Sequence, residues 1–321
     1  MLPLEMIRQA QVRLRGLVHR TPLIHSVFLS ERLGTQVYLK VESLQKTGSF
    51  KPRGAFNKML SLGEAERRRG VVAVSGGNHA QGVAFAARHL GITATILMPA
   101  STPANYVEAT RGYGARVVFT DDIHAAFAEV HRLVGEGLVE IHPFDDELVA
   151  AGQGTIGLEI FEDFPGITHA YVSIGGGGLI TGVASALRAI KPDVHVVGVE
   201  TRGADAMSQA LAENGLVELP AITSIARTLG APKVSEFTLA NVKELVEEVV
   251  VVEDGPAVAA LCLLLERTKY LTEPAASCCL VAADLQRERF RPTDQIVLLL
   301  CGGNISLADL CTWRQRFAGA G

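Results

Sequence analysis

Residues 170–190, AYVSIGGGGLITGVASALRAI, read as a short apolar strand (170–174), four consecutive glycines and a helix (179–190). A strand that passes through glycine straight into a helix is the unit of an α/β fold with a parallel sheet. Similar short runs rich in branched aliphatics lie at 71–74, 95–98, 116–119, 138–141, 194–200 and 295–300, separated by longer helical patterns. Near-continuous apolar strands are what a sheet covered on both faces requires. Residues 78–90 show the helical period, with Ala80, Val83, Ala84, Ala87 and Leu90 on one stripe and Gly91 placed to stop it. The expected architecture is α/β, two-lobed, with parallel-rich twisted sheets flanked by helices. Residues 70–146 are expected to form a small lobe, and 1–69 with 147–321 a large one. HPFDDELVAAGQ (142–153) is the expected crossing point, with a cleft between the lobes.

A chain of 321 residues, 48% hydrophobic, 20% charged and 6% aromatic, has the composition of an ordinary globular protein. Its formal net charge of −4 provides no basic field, which argues against nucleic acid as the main partner and for small molecules. Five cysteines without any CxxC spacing point to reduced thiols and a cytoplasmic location. The first ten residues carry Glu5 and Arg8 and do not read as a signal peptide. Glu253, Asp254 and Glu266 break the longest apolar stretch, so no membrane span is expected. No HExxH pair and no internal repeat is present.

The four glycines Gly175, Gly176, Gly177 and Gly178 let successive backbone N–H groups converge on an anion, and the helix start adds its partial positive charge. A P-loop needs Lys-Ser/Thr after its last glycine, where Leu179-Ile180 stand. The dinucleotide fingerprint lacks its third glycine, although Glu200 ends a strand at the distance of a ribose-binding acid; a dinucleotide-binding oxidoreductase is the rival class. Ser75-Gly76-Gly77-Asn78-His79 also joins a strand to a helix, and can hold a carboxylate or simply cap the helix. His79 reads as a packed or capping residue. The same stretch imitates a hydrolase elbow with Ser75 as nucleophile, which would need a later histidine, His169 or His195.

TGSFKPRG (47–54) places Lys51 after Phe50 and two residues before Arg53. A lysine becomes a useful nucleophile when desolvation or a neighbouring positive charge lowers its pKa, and Phe50 and Arg53 are candidates for the two effects. A Lys-Pro pair otherwise simply starts a helix. Cys301-Gly302-Gly303-Asn304 ends the last apolar strand, and its thiol can face a pyridine nitrogen or be a small core residue.

In this order, Lys51, the Ser75–His79 turn, the tetraglycine and the Cys301–Asn304 segment resemble the fold-type II pyridoxal-phosphate enzymes (tryptophan synthase β-like). The branch most similar is that of threonine/serine dehydratases (ammonia-lyases) and serine racemases. The resemblance runs from His19-Arg20-Thr21-Pro22-Leu23 through Glu273-Pro274 to Asn304. It implies pyridoxal 5'-phosphate as cofactor, with Lys51 holding its aldehyde and acting as base at Cα. Phe50 would back the ring, Asn78 contact its 3-hydroxyl, Gly175 to Gly178 hold the phosphate and Cys301 face the ring nitrogen. Ser75, Gly76, Gly77, Asn78 and His79 would bind the substrate carboxylate. The implied reaction converts L-threonine or L-serine to a 2-oxo acid and ammonia, in a homodimer.

The chain also departs from that pattern. Gly76 stands where serine racemases of this branch carry a second serine as the opposite-face base, which favours a lyase over a racemase. Glu200, the Ala204 carbonyl and Asp205 retain part of the family's cation site, but Ala206 replaces its second acid, so no metal is expected. Arg227-Thr228 replaces Asp-Gly, leaving a bulkier or acidic substrate, phenylserine or hydroxyaspartate, as an alternative. Feedback control by isoleucine is not expected.

Overall fold

The computed structural model describes residues 1–318. Among them ten strands run in chain order: β1 Leu23–His25, β2 Gln36–Val41, β3 Val71–Val74, β4 Ala94–Pro99, β5 Arg116–Thr120, β6 Val139–Glu140, β7 His169–Ser173, β8 His195–Thr201, β9 Glu248–Val252 and β10 Gln295–Leu300. They form a six-stranded sheet, β1-β2-β10-β7-β8-β9, and a four-stranded sheet, β5-β4-β3-β6. Every pairing is parallel except β1 with β2. The smaller sheet is built entirely from strands between residues 71 and 140, and the larger from strands on either side.

The seven expected strands are all present, with ends shifted by at most one residue. Three further strands join them. β1 has three residues and none buried, and β9 is half-buried along most of its length, because both lie at edges of the larger sheet. A strand with one wet face lacks the continuous apolar run that marks a central strand. β2 carries Gln36 and Lys40, and Lys40 is buried only because an internal carboxylate meets it.

The Glu147–Asp163 helix places the two chemical segments. All twelve residues from Val149 to Ile160 are buried, as in a helix packed on every side. A Cβ at Gly152 would lie 2.6 Å from the Arg53 carbonyl, and one at Gly157 2.8 Å from the Val183 carbonyl. Glycine thus lets two other helices approach backbone to backbone. These are Lys51–Leu60, which begins with the candidate lysine, and Gly178–Ile190, which begins with the last of the four glycines. One buried rod fixes both starts. Ala55, Phe56 and Met59 of the Lys51–Leu60 helix enter the core under the smaller sheet, beside Val71, Ala73, Val83 and Ile96. Among the described residues no helix is long and apolar enough to cross a membrane.

Candidate active site

Lys51 begins its helix with Pro52 next in line, and Pro52 costs nothing there because the first helical N–H groups have no partner in any case. The preceding Phe50 N–H donates to the Cys301 carbonyl (3.1 Å), and Ser49 pairs with Gly302. These bonds fasten the lysine segment to the end of β10. The Lys51 Nζ donates to the Pro143 carbonyl at 3.0 Å and lies 5.0 Å from the Phe50 ring centre. Burial lowers its pKa to about 8, against the opposing pull of Cys301 and Glu273. The uncharged amine is therefore far more accessible near neutral pH than in a free lysine.

Arg53 does not lower it. Its guanidinium faces away into a buried cluster, donating to Glu42 (2.8 and 2.9 Å), Glu159 (2.6 and 2.9 Å) and Thr155 (3.1 Å). The positive charge expected to act on Lys51 is neutralised there, and desolvation alone accounts for the direction of the shift.

The four glycines leave β7 and enter the Gly178–Ile190 helix. Gly177 has φ +94, a left-handed conformation that favours glycine, and a Cβ there would lie 2.7 Å from the Thr238 Cβ. A Cβ at Gly178 would lie 2.8 Å from the Phe144 Cα, and one at Gly175 3.1 Å from the Leu229 Cα. The turn is therefore wedged between three chain segments, and the N–H groups of the helix's first turn have no intrahelical partner. Cys301 faces the same space from the end of β10. Its thiol donates toward the Ala275 carbonyl (3.6 Å) and receives the Ser173 hydroxyl (3.3 Å), and burial raises its pKa well above the ordinary value. It is a neutral thiol.

Phe50, Lys51, Asn78, Gly175, Gly176, Gly177, Gly178 and Cys301 all line one cavity enclosing ≈ 470 Å³, its open mouth included. Of the expected carboxylate-binding set only Asn78 lines it. Ser75 turns its hydroxyl to the Gly77 N–H (3.1 Å), and Gly76 lies against Thr102. His79 is buried, with Nε2 on the Ile141 carbonyl (2.7 Å), and burial pushes its pKa well below the usual value. The hydrolase reading fails on geometry. His169 and His195 stack on each other at 4.7 Å on the larger sheet, whereas Ser75 leaves the smaller one. The dinucleotide reading loses its acid as well, because Glu200 accepts the N–H groups of Met207 (2.9 Å) and Ser208 (2.8 Å) at the start of the Ala206–Ala212 helix. Asp205 is engaged by the Gly203 N–H (3.1 Å).

Sequence reasoning gave no role to Glu273 or Phe144, which also line the cavity; of the Arg227-Thr228 pair that it placed at the substrate pocket, Thr228 lines the cavity. An acid before a proline at a helix start is the ordinary sign of a helix beginning, so Glu273 carries no separate signal.

The family described as "Pyridoxal-phosphate dependent enzyme" matches residues 14–302. This chain belongs to that family. L-threonine ammonia-lyase of Geobacter sulfurreducens is 45% identical to it over 320 residues, covering 98% of this chain and 79% of the relative. Catabolic L-threonine dehydratase of Escherichia coli K12 is 38% identical over 305 residues, covering 94% of this chain and 93% of the relative. Among solved structures, maize serine racemase superposes with a TM-score of 0.92 at 35% identity, covering 99% of this chain and 98% of that one. The fold is that of the fold-type II pyridoxal-phosphate enzymes.

The residues present fit that cofactor. A buried amine of lowered pKa suits an aldehyde, unpaired helix-start N–H groups in a glycine turn suit a phosphate, and the neutral Cys301 thiol suits an uncharged pyridine nitrogen. The enzyme's Gly82 is part of this arrangement, since a Cβ there would lie 2.9 Å from the Lys51 Cβ and 3.0 Å from its carbonyl carbon. Gly82→Ala is expected to push the Lys51 segment off its seat, costing roughly 1–3 kcal/mol of stability. A displacement of this kind lowers kcat by about 10²-fold, which a 2-oxo acid assay reads.

Proposed function

We propose that this enzyme is a lyase that converts a β-hydroxy amino acid, L-threonine or L-serine, to a 2-oxo acid and ammonia. The observation that carries the proposal is the Lys51 amine, desolvated in the same cavity as the tetraglycine turn. The names of the relatives support the substrate class, threonine above all.

When bound, pyridoxal phosphate supplies the aldehyde that captures the amino group and the electron sink for the bond broken at Cα. Gly175 to Gly178 and the helix behind them hold its phosphate, Phe50 walls one side and Asn78 offers its spare amide N–H. The Lys51 Nζ takes the proton from the substrate Cα, and the β-hydroxyl departs as water. The substrate carboxylate lies toward the start of the Asn78–Leu90 helix, where Asn78 is the cavity-lining residue. The released enamine then hydrolyses in water to the 2-oxo acid and ammonia. Phe144 and Leu229 line the same cavity. Residues 70–146 move as the small lobe, against a large lobe of 1–69 and 147–321. We take the enzyme to be a cytoplasmic homodimer; all five thiols are free, which supports a reducing compartment.

Gly76 decides between lyase and racemase. Gly76 brings no side-chain base to the position where serine racemases of this branch carry their second serine, and a Cβ there would lie 2.7 Å from the Thr102 Oγ1, which supports the one-base reading. Gly76→Ser alone is expected to yield no D-serine by chiral chromatography, and to lower dehydration about tenfold through displacement of Thr102. D-serine formed by the wild type at a rate near that of 2-oxo acid release would refute the one-base reading.

A further inference from the structure

Glu273 is 2% exposed, lines the cavity and stands at the start of the Pro274–Leu285 helix. Its Oε1 accepts from the Asn78 Nδ2 (2.8 Å) and the Thr228 hydroxyl (3.0 Å). Its Oε2 is buried with no partner; the Asn304 N–H approaches the carboxyl without reaching hydrogen-bond geometry. Room for the carboxyl depends on Gly302, where a Cβ would lie 2.8 Å from Oε1. Asn78 in turn accepts from the Asn304 Nδ2 (2.8 Å), which also donates to the Thr47 carbonyl (2.7 Å). The titratable groups that sense Glu273 from the surrounding elements are Lys51, Cys301 and Tyr106. Cys301 and Tyr106 are neutral near pH 7, and Asn78 and Thr228 are neutral donors. Lys51 is therefore the only one of these groups that can compensate a negative charge on this carboxyl.

Lys51 must be uncharged to capture an aldehyde or to take a proton from carbon. At that moment an ionised Glu273 would be a lone charge in a buried cavity, held only by neutral donors. We propose that Glu273 is the proton partner of Lys51: when the amine becomes uncharged, one proton passes to the unpartnered Oε2, leaving amine and acid both neutral. The step is a balanced proton transfer, from ammonium and carboxylate to amine and carboxylic acid, directly or by exchange with water. Glu273 acts through Lys51 and through the Asn78 amide that it orients, so it is a positioning residue. Its acidity agrees with this assignment, since burial raises its pKa to about 7, opposed by Thr228, Asn78 and Lys51. The inference rests on the proposed role of Lys51, and the relatives' names do not bear on it.

The test is the pH dependence of pyridoxal-phosphate capture by the full-length apoenzyme, followed by absorbance in wild type, Glu273→Gln, Glu273→Asp and Thr228→Val. Capture needs the uncharged amine, so its rate rises with pH along a limb set by Lys51. Removing the facing carboxylate is expected to move that limb in Glu273→Gln to lower pH by about one unit. Glu273→Asp should restore it. Thr228→Val removes a hydrogen bond that favours the ionised carboxyl, so its limb should move in the same direction by a smaller amount. This variant retains a readout if Glu273→Gln does not fold. Infrared difference spectra of wild type should show a protonated carboxyl gained on cofactor loading at pH 7. Slower capture at every pH with an unmoved limb would reduce Glu273 to a structural role and overturn the proposal, as would a carboxyl that stays ionised in the loaded enzyme. Loss of the bound-cofactor band in Lys51→Ala is scored separately, so failure of the Lys51 assignment is distinguishable from failure of this one.

Discussion

Lys51→Ala is expected to lose the absorption band of covalently bound cofactor and to lower kcat/KM for 2-oxo acid release from threonine by roughly 10⁴-fold or more. The size of the effect follows from two losses at one atom. Among the described residues the Nζ is the only amine lining the cavity, so neither cofactor capture nor proton removal at Cα has a substitute. The fold should survive, because among the described residues the lysine Nζ makes one hydrogen bond, to the Pro143 carbonyl, and its removal relieves a buried amine. Unchanged circular dichroism with a colourless, inactive protein is the expected pairing. Lys51→Arg should be equally inactive, since a guanidinium keeps its charge and cannot form the covalent link. A Lys51→Ala protein that retained the band would remove the assignment.

The tetraglycine turn and the Lys51 segment were legible in the sequence because each is a local pattern, glycines at a strand-to-helix junction and lysine at a helix start. Central strands were legible for a similar reason, since burial on both faces forces a continuous apolar run, and β3 and β10 have the expected limits. Edge strands β1 and β9 obey no such constraint and were not expected, and the interior β2 was not expected because Gln36 and Lys40 interrupt its apolar run. The cavity's acid was illegible because its meaning is tertiary. Glu273 becomes unusual only when Asn78, Thr228 and Gly302, from three distant segments, close around it. Arg53 shows the opposite error. Two residues from Lys51, it reads as an electrostatic neighbour, yet the helix turns its side chain toward carboxylates from β2's end and from the Glu147–Asp163 helix. Proximity in sequence does not specify the direction in which a side chain points.

That arginine supplies the largest expected stability effect. Arg53, Lys40, Glu42 and Glu159 form two cations and two anions with side chains at most 7% exposed. The arginine is bonded twice to each carboxylate, and the Lys40 Nζ reaches Glu159 (2.6 Å) and the Thr21 carbonyl (2.7 Å). Burial pushes the Glu42 pKa up, but the Arg53 charge overrides it and holds the carboxyl below the usual range. Arg53→Met leaves one buried negative charge without a partner, at an expected cost of about 3–5 kcal/mol. In thermal unfolding this amounts to a fall of roughly 10 °C. Arg53→Met combined with Glu159→Gln restores neutrality, with Lys40 left to Glu42, and should recover part of the loss although two residues are changed. The pH dependence has a definite sign. A carboxyl with lowered folded pKa contributes stability that is present at neutral pH and lost as pH falls through that pKa. In the variant the orphaned carboxyl can take a proton instead, so the gap between wild type and Arg53→Met should narrow from pH 7 toward pH 4. A gap below about 1 kcal/mol at pH 7, or one that widens in acid, would show that the cluster does not seat the Lys51 helix electrostatically.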